Sequence, residues 1–295
     1  MAFQSERSNV VPVMPKSGAG GSQIGALLVD AGKLIPQDAE RILRHAKEEG
    51  LRFGDAAIEL GLVSREEIDR FVALQFDYPY LVPGESPVSP EIVAAYFPFV
   101  REVEALRALR SQLLLRWFGD NPRRRRLAIL STDRGDGRSH LAANLAVVFS
   151  QLGERTLLVD ADMRHPRQHE LFGISNSSGL STVLSGRAGP EAIQRIPAFL
   201  ALSMLPAGPN PPNPQELLNR PIFSHLLDDW SEQFDVVLFD SSAASEAADG
   251  QGVAARAGGA LLVTSVNKTR IARVRALAEH LVTANVSLVG SVVNC

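Results

Sequence analysis

Three aspartates stand at the ends of apolar segments of the sequence. Asp160 and Asp162 follow the run Thr156-Leu-Leu-Val, and Asp240 follows the run Val236-Val-Leu-Phe. Carboxylate oxygens are hard ligands that suit Mg²⁺, and they can also orient a hydroxyl nucleophile. Since α/β sheets bind ligands at the carboxyl ends of their strands, the three aspartates are candidate catalytic or metal-binding residues.

A glycine-containing segment, residues 131–140, lies between an apolar run and a helical pattern. In that position glycines let backbone N–H groups turn toward a phosphate at the helix N-terminus. The common phosphate-loop pattern is matched at Gly137 and Ser139, but Thr132 replaces its first glycine and Arg138 replaces its lysine. This segment alone fits an ordinary glycine-rich turn equally well, and the aspartates that follow it favour a phosphate site.

The elements that would position these residues alternate between strands and helices. Strands are predicted at residues 127–131, 156–160, 202–205, 236–240, 260–265 and 288–294, and helices at 101–118 and 139–153. Several of the strands are continuous apolar runs, which is typical of strands covered by helices on both faces. The sequence therefore predicts a doubly wound, mainly parallel α/β sheet.

An internal repeat with a period of 29 residues precedes this pattern, since the segment from Ile24 aligns with the segment from Phe53. Each copy predicts a short helix that ends at a glycine, followed by a second helix. In the second copy that helix begins at Ser64, and Glu67 three residues later completes a capping box. Two such copies would bury each other's apolar faces.

The chain has 295 residues, which at about 150 residues per domain predicts two domains. We predict a flexible tail at 1–21, a helical two-repeat domain at 22–82, a linker at 83–96 and a P-loop domain at 97–295. The linker is inferred from its proline, glycine and serine content.

Composition excludes several classes of protein. The formal net charge is −3 and 45% of residues are hydrophobic, so no global field holds the chain to nucleic acid and a sizeable core can form. The single cysteine, Cys295, excludes an intramolecular disulfide and a multi-cysteine metal site. No apolar stretch reaches the length of a membrane span.

The repeat resembles the N-terminal domain of type II secretion and pilus assembly ATPases, some of which bind cyclic di-GMP. In that family each motif opens with Arg-Leu-Gly; the second copy has Arg52-Phe53-Gly54, but the first copy has Gln23-Ile24-Gly25. Losing a guanidinium removes the group best suited to a phosphate or a guanine edge. We therefore favour a protein-docking module over a cyclic di-GMP receptor at 22–82.

Residues 97–295 resemble the bacterial P-loop tyrosine kinases (BY-kinases) that control polymer length in exopolysaccharide and capsule synthesis. The match includes the loop at 131–139, the second Walker motif at 157–164, and the segments 179–186 and 205–218. Glu104, Arg107 and Arg110 are similar to the family's E-x-x-R-x-x-R assembly motif. Their spacing alone fits a solvated charged stripe, whereas the resemblance implies an oligomerisation surface.

The resemblance implies ATP and Mg²⁺ as cofactors and a set of site residues. Gly135, Asp136, Gly137, Arg138, Ser139, His140 and Asn294 would bind nucleotide. Ser139, Asp162 and Asp240 would hold the metal, and the catalytic residues would be Asp160, Asp162 and Arg138, with Asp160 the candidate base. Because arginine is a planar fork and lysine a compact point charge, we expect Arg138 to preserve nucleotide binding and to slow or abolish phosphoryl transfer.

The resemblance further implies a homo-oligomer that works with a membrane chain-length determinant protein in trans, in the cytoplasm at the inner membrane. The family's C-terminal tyrosine cluster is missing before Cys295, so we expect the substrate tyrosine on another protein. Asp133 stands where related partitioning ATPases carry a signature lysine, which argues against that class. A non-catalytic, nucleotide-switched scaffold is the alternative to a kinase.

Overall fold

The structure, a computed structural model, describes residues 23–65, 67, 68, 71, 72, 80–119 and 121–294. The chain divides into two compact units, residues 1–77 and 78–295. The predicted tail at 1–21 and Cys295 lie outside the described residues. Among the residues that are described, no helix has both the length and the hydropathy to cross a membrane.

The first unit is helical, as the repeat predicts. Its described helices include α1 (Gln23–Asp30), α2 (Pro36–Glu49) and α3 (Phe53–Glu59). Leu28 and Ile42 are fully buried in its core. The predicted capping box is confirmed, because the Ser64 amide donates to Glu67 Oε2 at 3.1 Å and the Glu67 amide donates to Ser64 Oγ at 3.2 Å.

The second unit contains a seven-stranded sheet in the order β3-β4-β2-β5-β1-β6-β7. Its strands are β1 (Arg126–Ser131), β2 (Thr156–Asp160), β3 (Gln194–Arg195), β4 (Leu202–Leu205), β5 (Val236–Asp240), β6 (Gly259–Ser265) and β7 (Ser287–Asn294). All neighbouring strands are parallel except β3, which runs antiparallel to β4. The predicted mainly parallel sheet is confirmed, and the six predicted strands agree within one residue at each end.

Helices cover both faces of this sheet. They are α4 (Val93–Tyr96), α5 (Arg101–Arg116), α6 (Arg138–Gln151), α7 (Gln168–Phe172), α8 (Leu180–Leu184), α9 (Pro214–Leu218), α10 (Pro221–Gln233), α11 (Asp249–Ala257) and α12 (Ile271–Thr283). Leu127 and Ile129 of β1 pack into one apolar cluster, and Ala128 and Leu130 pack into another. Successive side chains of a strand point to opposite faces, so two apolar layers require the continuous apolar run.

The segment 83–96, predicted as a linker, is packed into the second unit, which corrects that expectation. Val88 and Ile92 are buried in its core, and the Ala94 amide donates to the buried Asn144 Oδ1 at 2.9 Å. The proline, glycine and serine residues of this segment indicate turns, but they do not indicate whether the segment is buried. Its packing is determined by its apolar side chains.

Candidate functional site

The phosphate loop connects β1 to α6, as the sequence predicts. Gly135 and Gly137 have φ angles of +79° and +93°, in the left-handed region that favours glycine. Gly137 directly precedes Arg138, the first residue of the 14-residue helix α6. The first N–H groups of a helix have no partner within it, so this loop presents backbone donors suited to an anion.

Arg138 points into the protein, toward the aspartates. Its side chain is only 8% exposed and donates from Nη1 to Ser131 Oγ at 2.7 Å. Nη2 donates to Asp162 Oδ2 at 3.1 Å and Nε to Asp240 Oδ1 at 3.3 Å. The resemblance implies that this side chain holds phosphate, but here its donors are directed to two carboxylates and a hydroxyl.

The predicted cluster of aspartates is formed by two neighbouring strands. Asp160, the last residue of β2, lies opposite Asp240, the last residue of β5. Asp160 is fully buried and accepts hydrogen bonds from the amides of Asp162 at 3.2 Å and of Arg167 and Gln168 at 3.0 Å. Burial raises the pKa of Asp160 well above its ordinary value, and the charge of Asp240 raises it further.

Asp162 lies two residues beyond β2, where its backbone turns. Its Oδ1 accepts hydrogen bonds from the amides of Arg164 at 3.3 Å and His165 at 3.0 Å. Burial raises the pKa of Asp162 and outweighs the opposing effect of the hydrogen bond from His165 and of the ion pair with Arg138. A buried carboxylate with a raised pKa is characteristic of functional sites.

Gln168 is a site residue that the sequence did not predict. Its Nε2 donates to Asp240 Oδ2 at 2.8 Å and to the Ser139 carbonyl at 2.9 Å, so it joins β5 to the phosphate loop. Within the described residues its Oε1 is buried without a hydrogen-bond partner. A buried glutamine carries no sequence signal of such a bridge, because its two partners come from distant segments.

The remaining predicted nucleotide-binding residues lie on or against the loop. Asn294 Nδ2 donates to the Asp136 carbonyl at 3.3 Å, which brings the end of β7 to the loop. The Asp136 carboxylate is turned into its own loop, where it accepts from the Asp133 amide at 3.0 Å. His140 lies in the first turn of α6, and its carbonyl accepts from Asn144 Nδ2 at 2.9 Å.

The three predicted oligomerisation residues lie on α5, away from the aspartates in the sequence. Arg107 pairs with Glu104 on the same helix. Arg110 Nη1 donates to the Val148 carbonyl at 2.7 Å, so it anchors α5 to α6. The assembly role of these residues stays a prediction.

The oxygen ligands at this edge of the sheet suit a Mg²⁺ ion that is also coordinated by phosphate oxygens. In the described part of the chain, no group of three or more His, Cys, Asp or Glu side chains is placed to hold a metal ion by itself. Mg²⁺ commonly binds through one or two carboxylates together with waters and substrate phosphates. Asp162, Asp240 and the Ser139 hydroxyl supply hard oxygen ligands of that kind, and the unpartnered Gln168 Oε1 could accept from a metal-bound water.

No protein-family model matches the chain, whereas several known proteins and solved structures are similar to it. It is 37% identical over 166 residues to the tyrosine-protein kinase YwqD of Bacillus subtilis, a match covering 56% of this chain and 70% of that protein. It is 32% identical to the putative tyrosine-protein kinase CapB of Staphylococcus aureus, and this match covers 57% of this chain and 74% of that protein. The chain belongs to the bacterial tyrosine kinase (BY-kinase) family.

Other BY-kinase relatives are longer than this chain. A 35% identical match over 206 residues to the putative tyrosine-protein kinase EpsB of Ralstonia solanacearum covers 69% of this chain but 27% of that protein. The chain thus spans about a quarter of that relative.

Solved structures agree with the BY-kinase assignment. The chimerical protein CapA2B2 superposes with a TM-score of 0.65 at 29% identity, covering 76% of this chain and 97% of that one. The kinase domain of the Escherichia coli tyrosine kinase ETK superposes with a TM-score of 0.64 at 28% identity, covering 69% of this chain and 79% of that one. The cell division ATPase MinD of Pyrococcus furiosus, at 24% identity, shares the fold.

Proposed function

We propose that this chain binds ATP with Mg²⁺ and transfers the terminal phosphate to a tyrosine, and that it thereby regulates exopolysaccharide chain length, polymerisation and export. The observation that carries the proposal is the meeting of the phosphate loop with Asp160, Asp162 and Asp240 at one edge of the sheet. The names of the kinase relatives support phosphotyrosine as the product.

The residues of the site have separate roles in this proposal. The backbone N–H groups from Gly135 to Ser139 would bind the phosphates. Asp162, Asp240 and Ser139 would hold Mg²⁺, which when bound neutralises charge on the transferred phosphoryl group. Asp160 is the candidate base, because its raised pKa favours accepting the proton of a tyrosine hydroxyl.

Arg138 limits the rate in this scheme. Its guanidinium is paired with the same two carboxylates that would hold the metal. Those pairs must break before Asp162 and Asp240 can serve as metal ligands. We therefore expect slow turnover.

We also propose a membrane chain-length protein as partner and a homo-oligomer assembled through α5. These proposals rest on the family relationship and on the Glu104, Arg107 and Arg110 pattern. Cyclic di-GMP binding at 22–82 has no support from the relatives and is not part of the proposal.

The second candidate function is a scaffold that binds nucleotide without transferring phosphate. The observation that favours it is the pairing of Arg138 with Asp162 and Asp240, because this pairing occupies the carboxylates that a metal ion would need. In this case ATP occupancy alone would drive assembly.

The deciding assay incubates the protein with radiolabelled ATP, Mg²⁺ and a tyrosine-containing acceptor polypeptide, and measures phosphotyrosine. The kinase proposal expects label with the wild type and its loss with Asp160→Ala. Asp229→Ala is the matched control, because Asp229 is an exposed aspartate on α10. Wild-type turnover no faster than that of Asp160→Ala, with ATP still bound, would exclude the kinase and support the scaffold.

A further inference from the structure

We propose that Lys268 is a positioning residue of the phosphate loop and a determinant of its affinity for polyphosphate. It would supply part of what the missing loop lysine supplies elsewhere. This inference rests on the nucleotide binding proposed above and assigns a residue that no loop motif contains.

Lys268 reaches the phosphate loop from the segment that follows β6. Its Nζ donates to the carbonyl of Arg134 at 3.1 Å and to the carbonyl of Gly135 at 2.9 Å. A Cβ atom at position 135 would stand 2.6 Å from this ammonium. A side chain at 135 would therefore displace the ammonium from its present position, and the φ of +79° favours glycine there independently.

Two residues that follow Lys268 in the sequence, Thr269 and Arg273, hold the loop at two further points. Thr269 Oγ1 donates to Asp136 Oδ1 at 3.0 Å. It also accepts a hydrogen bond at 2.7 Å from the amide of Ser265, which is the last residue of β6. Arg273 pairs with Asp133. The loop is thus fixed to the sheet through β6 as well as through its own strand, β1.

The lysine contact determines which way the loop amides face. A trans peptide group is planar, and its C=O and N–H point in opposite directions. When Lys268 holds the carbonyls of Arg134 and Gly135, the N–H groups of Gly135 and Asp136 face away from the ammonium. Amides aligned in this way, next to the N-terminus of α6, form an anion-binding concavity.

The charge of Lys268 differs from that of Arg138. Arg138 is paired with Asp162 and Asp240, so its charge is offset by two buried carboxylates. Lys268 is exposed, and within the described residues its side-chain hydrogen bonds go to carbonyl groups and none of the ion pairs includes it. Such an ammonium adds positive potential on the carbonyl side of the loop, and this potential extends to the N–H side where a polyphosphate would bind.

The test is titration of the full chain with methylanthraniloyl-ATP and Mg²⁺, followed by fluorescence. We expect Lys268→Ala to weaken binding about tenfold, because the hydrogen bonds of a charged donor and its charge are both lost. Lys268→Arg should recover most of the affinity. Lys268→Gln, which keeps a donor without charge, should recover less and should show a weaker dependence of Kd on salt than the wild type.

Lys47→Ala is the matched control, because Lys47 is an exposed lysine on α2 in the first unit. Melting temperatures within about 2 °C of the wild type show that each variant is folded. Wild-type affinity and salt dependence in both Lys268→Ala and Lys268→Gln would overturn the inference and leave the proposed function standing. Failure of the wild type itself to bind the nucleotide would overturn both.

Discussion

Replacing Arg138 with methionine would leave the aspartate cluster without its counter-charge. The side chains of Asp162 and Asp240 are 4% and 1% exposed, so water cannot replace the guanidinium fully. Removing one partner of a buried ion pair costs about 3–5 kcal/mol. We expect the lower end of this range, about 3 kcal/mol, because Asp162 already has a raised pKa and can take up a proton.

The assay is thermal unfolding followed by circular dichroism, with and without millimolar Mg²⁺. For a unit of this size, 1 kcal/mol corresponds to roughly 2–4 °C in Tm, so Arg138→Met should lower Tm by about 6–12 °C. Mg²⁺ should recover part of the loss in this variant, because a divalent cation can occupy the freed carboxylates and stabilises the state that binds it. The Tm of Arg138→Lys should fall between those of the wild type and of Arg138→Met, since a compact ammonium cannot bridge both aspartates as a planar guanidinium does.

Arg116→Met is the matched control, because Arg116 is exposed at the end of α5. The reasoning fails if Arg138→Met melts within 2 °C of this control. It also fails if Mg²⁺ raises the Tm of the wild type as much as that of Arg138→Met, because the carboxylates would then be equally open with and without the guanidinium.

Two further predictions concern buried polar groups. The raised pKa of Asp160 means that the folded state binds a proton more tightly than the unfolded state, so its contribution to stability grows as pH falls from that raised pKa toward the ordinary value. Urea titrations between pH 7 and pH 5 should show wild type gaining stability relative to Asp160→Asn; a constant difference would contradict the shift. Asn144→Ala leaves the Ala94 amide without its partner and should cost about 1–3 kcal/mol, with faster hydrogen exchange at that amide; unchanged exchange there would contradict an anchoring role.

The sequence predicted the parts of the site that depend on strand ends. Continuous apolar runs located β2 and β5, and the parallel arrangement then brought Asp160 opposite Asp240. Strand β3 was not predicted, because two residues give no pattern. Helices as short as α7 and α8, with five residues each, are stabilised by packing rather than by their own periodicity.

Side-chain direction could not be predicted in the same way. Whether Arg138 faces a phosphate or the protein interior depends on Ser131, Asp162 and Asp240, which come from three separate segments. Lys268 is 133 residues from the Gly135 carbonyl that it contacts. A local sequence pattern does not encode a contact between residues so far apart in the chain. The carboxyl end of a parallel strand, here β6, is nevertheless where a residue that contacts the ligand loop is expected.

The strand order gives the Arg138 contacts a mechanical consequence. In the sheet, β5 lies between β1 and β2. One guanidinium therefore ties together the end of β1 at Ser131, the end of β5 at Asp240 and the turn after β2 at Asp162. Displacement of any one of these strand ends would therefore disturb a contact of the same side chain. A cation bound by the two aspartates would release the guanidinium from β5 and from the turn after β2 together, so metal binding would loosen two of these connections in one event.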